Sequence, residues 1–220
     1  MLISIKHEFC FLSQQKCGTT SIEKAIKKYC EIQLTGTKYG KHINYITYNN
    51  EWKPFLKSRF RKAKLKSICT TRHPISLLIS WYTYKSRPGK EGKPDYTGNK
   101  KFSDWFSEHL ESIKSKGLNN NFFLDESKRV GPDYIFPLEK IHLLESYMSK
   151  QIGKKIKFRR QNSSPKMHNI DELRKTAWDM QSLFPDCLEK HIAFYEELSA
   201  AYETNNNIGK IIIDRNFFNS

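Results

Sequence analysis

Phe9-Cys10-Phe11-Leu12-Ser13-Gln14-Gln15-Lys16-Cys17-Gly18-Thr19-Thr20-Ser21-Ile22-Glu23 reads as a buried strand that breaks into a small, hydroxyl-rich loop and restarts as a helix. Such a junction offers an anion backbone N–H groups and the positive end of a helix dipole. Thr20 and Glu23 have the Thr-x-x-Glu spacing of a capping box, and Ile22, Ala25, Ile26 and Tyr29 follow on one helical face. The stretch therefore predicts a phosphate grip between a strand over 6–13 and a helix over 20–30. The competing reading is an ordinary strand-to-helix turn with a solvated lysine.

The lysine is placed unusually. A P-loop carries Lys after its second glycine and follows it with the Ser or Thr that holds magnesium, whereas here Lys16 precedes the segment's only glycine, Gly18. A lysine at the front of the loop reaches leaving-group oxygens from the strand side, with Thr19, Thr20 and Ser21 supplying hydroxyl and backbone donors. A second strand-loop-helix unit follows in 66–82, where a β-rich run ends at Arg72 and Pro74 opens an apolar helix containing Ser80. A planar guanidinium and a hydroxyl suit a second phosphate, so the two units together predict a ligand with two separated anionic groups.

This pair resembles the nucleotide-binding elements of the PAPS-dependent sulfotransferases, with closest likeness to the carbohydrate (heparan-type) members. The resemblance implies that Lys16, Cys17, Gly18, Thr19, Thr20 and Ser21 hold the 5′-phosphosulfate of 3′-phosphoadenosine 5′-phosphosulfate, and that Arg72 and Ser80 hold its 3′-phosphate. It extends to Lys41-His42, similar to a Lys-His pair of the carbohydrate-type enzymes. It also reaches the segment 158–164, which resembles their late Arg-x-Asn-Ser-Ser segment and makes Arg160 a nucleotide contact. Two positions depart from the pattern: Gln15 stands where the family usually has Pro, and Ser76-Leu77 where many glycan-type members carry an acidic-Arg pair.

The resemblance implies an α/β fold of three layers, a central parallel sheet with helices on both faces, and sulfuryl transfer from PAPS to an acceptor hydroxyl, most simply of a carbohydrate. No metal is needed, because the transferred group carries less charge than a terminal phosphoryl. Lys16 is then the cation for the departing oxygen, and an acceptor hydroxyl needs a base. Of seven histidines, His42 suits that role by its place after the phosphate helix, with Glu8, Glu51 and Asp95 as carboxylate alternatives and Lys41 as an orienting cation. Cys17, between a lysine and a helix N-terminus, has the setting of a reactive thiol but is read as a small loop residue.

At 220 residues the chain is sized for a single domain over 1–220. Five cysteines, odd in number and without a Cys-x-x-Cys pair, fit neither a zinc site nor a disulfide scaffold and point to a reducing, cytoplasmic setting. Lys6, His7 and Glu8 interrupt the apolar N-terminal run, so a signal peptide and a membrane span are not expected. A net charge of +15 favours anionic ligands such as the nucleotide or an acidic acceptor, without calling for nucleic acid.

Between the motifs, strand and helix alternate: strands at 65–71, 133–138 and 155–158, helices at 74–86, 102–115, 139–152, 171–181 and 185–203, and a terminal run at 210–213. The polar loop 86–101 is the first candidate for an acceptor lid, and the loop 117–132 the second. Two rival functions remain: an atypical nucleotide-dependent kinase, and a non-catalytic basic polyanion-binding protein.

Overall fold

The computed structural model describes residues 1–36, 40–159, 168–204 and 214–219, without the side chains of Asn119 and Asn120. Its strands are β1 Leu2–Ser4, β2 Phe9–Leu12, β3 Ile32–Gln33, β4 Lys66–Thr71 and β5 Tyr134–Pro137. Its helices are α1 Thr19–Ile26, α2 Tyr45–Thr47, α3 Lys53–Arg59, α4 Pro74–Lys85, α5 Phe102–Lys116, α6 Ile141–Ile152, α7 Ile170–Asp179 and α8 Asp186–Thr204. They gather into two compact units, one of Met1–Thr71, Asn121–Gln161 and Glu196–Ser220, the other of Arg72–Asn120 and Asn162–Tyr195.

The first unit is α/β, built on a five-stranded mixed sheet of order β3-β1-β2-β4-β5. β2, β4 and β5 are parallel, with Leu12 opposite Cys69 and Cys69 opposite Ile135. All four residues of β2 are fully buried, which is why its sequence is apolar without alternation. The expected parallel sheet is corrected on the other side, where β1 runs antiparallel to both β2 and β3. The cause lies in Lys6, His7 and Glu8. Glu8 takes a left-handed φ of 53° and the His7 amide donates to Ser4 Oγ at 3.2 Å, so these residues turn the chain instead of extending it. The single strand expected over 6–13 is thus the second arm of a hairpin.

The strand expected at 155–158 is absent. The Ile156 amide donates to Ser149 Oγ at 2.8 Å and the Phe158 amide to Glu145 Oε1 at 2.6 Å, which ties this segment to α6 and takes both amides out of any sheet ladder. The run 210–213 lies outside the described residues.

The second unit is helical among its described residues. α4 buries Ile75, Leu77, Leu78, Ile79 and Tyr82, and α5 buries Phe102, Trp105, Phe106 and Leu110, the face its spacing predicts. Tyr82 stands edge-on to Phe102 at 5.1 Å, and its hydroxyl donates to the Lys100 carbonyl at 2.8 Å. Thr97 Oγ1 donates to the Tyr82 carbonyl at 2.8 Å and Lys85 pairs with Asp95 at 3.6 Å. The loop expected to be a lid is therefore bonded to α4 along its second half. α8 passes from the second unit into the first, and its Leu188, Ile192, Tyr195, Leu198 and Tyr202 are buried, as helical spacing predicts.

Candidate functional site

The loop between β2 and α1 uses two left-handed residues, Lys16 at φ 62° and Gly18 at φ 73°. For lysine that conformation costs about 1 kcal/mol, and the loop holds it through neighbouring bonds. Thr70 Oγ1, on β4, donates to the Cys17 carbonyl at 2.8 Å, and the Cys17 amide donates to the Gln14 carbonyl at 3.4 Å. Gly18 is favoured by its φ, and a Cβ there would stand 2.6 Å from the terminal Cδ1 methyl of Leu138, which would have to shift.

Gly18 is also the N-cap of α1, which begins at Thr19, and no side chain caps the helix. The amides of Ser21 and Ile22 turn back to the Gly18 carbonyl at 3.1 and 3.3 Å. The predicted capping box is corrected: Thr20 is exposed, whereas Glu23 is buried and engaged elsewhere. Ser13 Oγ donates to Glu23 Oε1 at 2.6 Å, and Lys41 Nζ pairs with Glu23 Oε2 at 3.1 Å. A carboxylate facing a lysine and a buried hydroxyl gains charge-assisted bonds that a solvated first-turn threonine does not offer.

His42 joins the same cluster. Its Nδ1 lies 2.6 Å from the Ser13 carbonyl. A carbonyl only accepts, so Nδ1 carries the proton and Nε2 is the lone-pair nitrogen of the neutral ring. Partial burial draws the imidazole below its ordinary value of 6.5, the Ser13 bond opposes this, and the Lys41 ammonium adds to the lowering. Ser13, Glu23, Lys41 and His42, from a strand end, a helix and a connecting segment, thus form one bonded chain around the loop that carries Lys16. Gln14 within that loop is 3% exposed, and its Oε1 is buried without a hydrogen-bond partner among the described residues.

Of the remaining predicted loop ligands, Thr19 is buried, Ser21 half-buried and Thr20 exposed. Cys17 is fully buried, and so is Cys69, whose thiol is pushed well up by burial and by Cys17 beside it. The loop cysteine is thereby shielded from solvent rather than poised for attack.

Arg72 and Ser80 belong to the second unit, Lys16 and His42 to the first. Arg72 is half-buried and follows β4 directly, two residues beyond Thr70. Ser80 is buried in the apolar α4, where its carbonyl accepts from Thr83 Oγ1 at 3.5 Å. Pro74 opens that helix as predicted, and His73 packs its ring against Tyr195 at 5.2 Å and Trp178 at 6.1 Å. Arg160 and the Asn-Ser-Ser that follows it lie outside the described residues.

Among the other histidines, His109 stacks on Trp105 at 4.7 Å and His168 bonds Ser86 Oγ at 2.8 Å. His191 is buried, with Nδ1 2.6 Å from the Cys187 carbonyl. Of the alternative bases, Glu8 accepts from the Lys64 amide at 2.9 Å, Glu51 is exposed, and Asp95 pairs with Lys85 in the second unit. Sequence reasoning missed Ser13, Thr70 and the partners of Glu23. The one readable signal was a carboxylate set beside Ile22 and Ile26 on the apolar stripe of α1.

Among the described residues no group of three or more His, Cys, Asp or Glu is placed to hold a metal ion, and no helix is long and apolar enough to cross a membrane. Comparison with protein-family models, curated proteins and solved structures returned no match.

Proposed function

We propose that the protein is a sulfotransferase of the PAPS-dependent type, with the three-layer fold of that family, acting on an acceptor hydroxyl of carbohydrate class. The observation that carries this reading is the bonded cluster linking the Lys16 loop to His42. The two ends of the loop that carries Lys16 are tied together by the bond from the Ser13 hydroxyl to Glu23, and the Ser13 carbonyl also holds the neutral imidazole of His42. The donor set suits an anionic ligand: one ammonium, the hydroxyls of Thr20 and Ser21, and the amides of Thr19 and Thr20, which precede the first bonds back to the Gly18 carbonyl. Gly18 contributes by lacking a side chain where Leu138 closes in.

When bound, the nucleotide supplies an activated sulfuryl group on a phosphate leaving group. His42 Nε2 takes the acceptor's hydroxyl proton, and the lowered basicity of the ring keeps that nitrogen unprotonated at neutral pH. Lys16 holds a positive charge where negative charge accumulates on the departing oxygen. Glu23 fixes Lys41 and Ser13, and through Ser13 the ring of His42, so its part is positioning. The assignment of Arg72 and Ser80 to the 3′-phosphate rests on the sequence pattern and adds a second anionic contact to the reading.

Calorimetric titration with 3′-phosphoadenosine 5′-phosphate, and separately with ATP and magnesium, tests the nucleotide assignment. Binding of the former that Arg72→Ala abolishes supports it; binding of ATP with magnesium alone overturns it in favour of a kinase. A labelled sulfate-transfer screen over glycans then tests the chemistry, with Lys16→Ala and His42→Ala expected to lose turnover. Full activity in His42→Ala would remove the base while leaving the nucleotide site in place.

A further inference from the structure

The stretch Lys53-Pro54-Phe55-Leu56-Lys57-Ser58-Arg59-Phe60-Arg61-Lys62-Ala63-Lys64-Leu65-Lys66 carries seven cations and no acidic residue. α3, the segment after it and the first residue of β4 display all seven at the surface, with Leu56 of α3 buried beneath. Lys66 reaches Asp133 at 4.0 Å and Lys53 reaches the Asn49 amide oxygen at 3.4 Å. Lys57, Arg59, Arg61, Lys62 and Lys64 take part in no ion pair among the described residues. Within this positive field Phe55 is 54% exposed, one of two large apolar side chains so displayed among the described residues, with Trp52 half-buried one helical turn before it.

We propose that this face is a docking surface for an anionic phospholipid membrane, on which the cations meet lipid headgroups and Phe55 enters the acyl boundary. Charge complementarity selects a polyanion, since a field of unpaired lysines and arginines attracts negative surfaces. The aromatic selects the membrane among polyanions. Single-stranded nucleic acid is held by successive stacking platforms, and here one ring stands clear of the surface. An exposed aromatic among Lys and Arg joins the two forces that hold a protein surface at an anionic bilayer, burial of apolar area and electrostatic attraction to headgroups. The surface belongs wholly to the first unit and is independent of the proposed chemistry, so either reading stands if the other falls.

Vesicle flotation with the whole protein, on phosphatidylcholine with and without phosphatidylserine, tests it. Each Lys or Arg near an anionic surface contributes about fivefold in affinity, so Lys57→Gln/Arg59→Gln/Arg61→Gln/Lys62→Gln is expected to weaken binding to phosphatidylserine vesicles several hundredfold. Phe55→Ala is expected to weaken it roughly tenfold, the effect of burying about half an aromatic side chain. Both variants change exposed residues, and an unchanged melting curve verifies their fold. Binding indifferent to phosphatidylserine, retained by the quadruple variant, unaffected by Phe55→Ala, or weaker than binding to an RNA oligonucleotide would overturn the proposal.

Discussion

Replacing Glu23 tests whether the Lys16 loop and His42 are held as one object. Glu23 is 7% exposed and engages two groups: Ser13 Oγ, itself buried, at 2.6 Å, and Lys41 Nζ at 3.1 Å. Glu23→Ala leaves the Ser13 hydroxyl without its acceptor, at about 1–3 kcal/mol, and removes the counter-ion of Lys41. Breaking a buried pair from one side costs about 3–5 kcal/mol, but the Lys41 side chain is 24% exposed and can turn partly to water, so the lower end applies. A total near 4 kcal/mol corresponds to a fall in melting temperature of about 8–16 °C for a chain of this length. Glu23→Gln keeps an acceptor for Ser13 and loses only the charge, so it should cost about 1–2 kcal/mol. The decisive assay is a double-mutant cycle with Lys41→Met, read by denaturant unfolding. A coupling of about 1–2 kcal/mol is expected for residues in direct contact. Additive effects, or a Glu23→Ala protein that melts with the wild type, would refute the reasoning, because the carboxylate would then be holding nothing.

Gly18→Ala should destabilise by about 1–3 kcal/mol, from its left-handed φ and from the Leu138 methyl 2.6 Å away; Gly18→Asn, which tolerates that φ better but meets the same methyl, should lose less in denaturant unfolding. For His42, an NMR titration should place the ring's midpoint below 6.5. The unfolded chain then binds that proton at higher pH than the folded one, so the His42 share of stability is complete above 6.5 and lost as pH falls through it; a midpoint above 6.5 would contradict this. Glu145 is shifted in the same direction, for a different reason. Burial pushes it up, but the Lys157 and Phe158 bonds outweigh that and set it below its ordinary 4.5. Its contribution is present above 4.5 and lost as pH falls through the lowered value. Glu145→Gln should therefore flatten acid unfolding at a cost near 1 kcal/mol, discounted because Lys157 is largely exposed.

β2 was legible in the sequence because a strand buried on both faces is apolar throughout, and β4 because its β-branched Ile68, Thr70 and Thr71 run into the Arg72–Pro74 break. The direction of pairing has no such signature, and so the antiparallel β1 and β3 could not be told from parallel neighbours. Ile156 and Phe158 look like strand residues by alternation, yet their amides find Ser149 and Glu145 first. Glu23 shows the same limit at the site. Its spacing from Thr20 satisfied a local rule, while Ser13 and Lys41, ten residues before and eighteen after, offered a stronger pairing that only the folded chain brings near. His42 was singled out for its place after the phosphate helix, but the bond that selects its tautomer runs back to the end of β2.

Thr70, which clamps the Cys17 carbonyl, has a bearing on how the protein is made. Lys16, Glu23, Lys41 and His42 all precede β4 in the chain, together with β1, β2 and β3. During synthesis the ribosome therefore releases the reactive side chains well before the strand that fastens their loop. In that interval β2 is paired with β1 alone and presents its other edge, with the apolar side chains of Phe9, Phe11 and Leu12, to whatever is nearby. β4 both covers that edge and supplies the Thr70 hydroxyl that holds the loop, so closing the sheet and fixing the site depend on one strand.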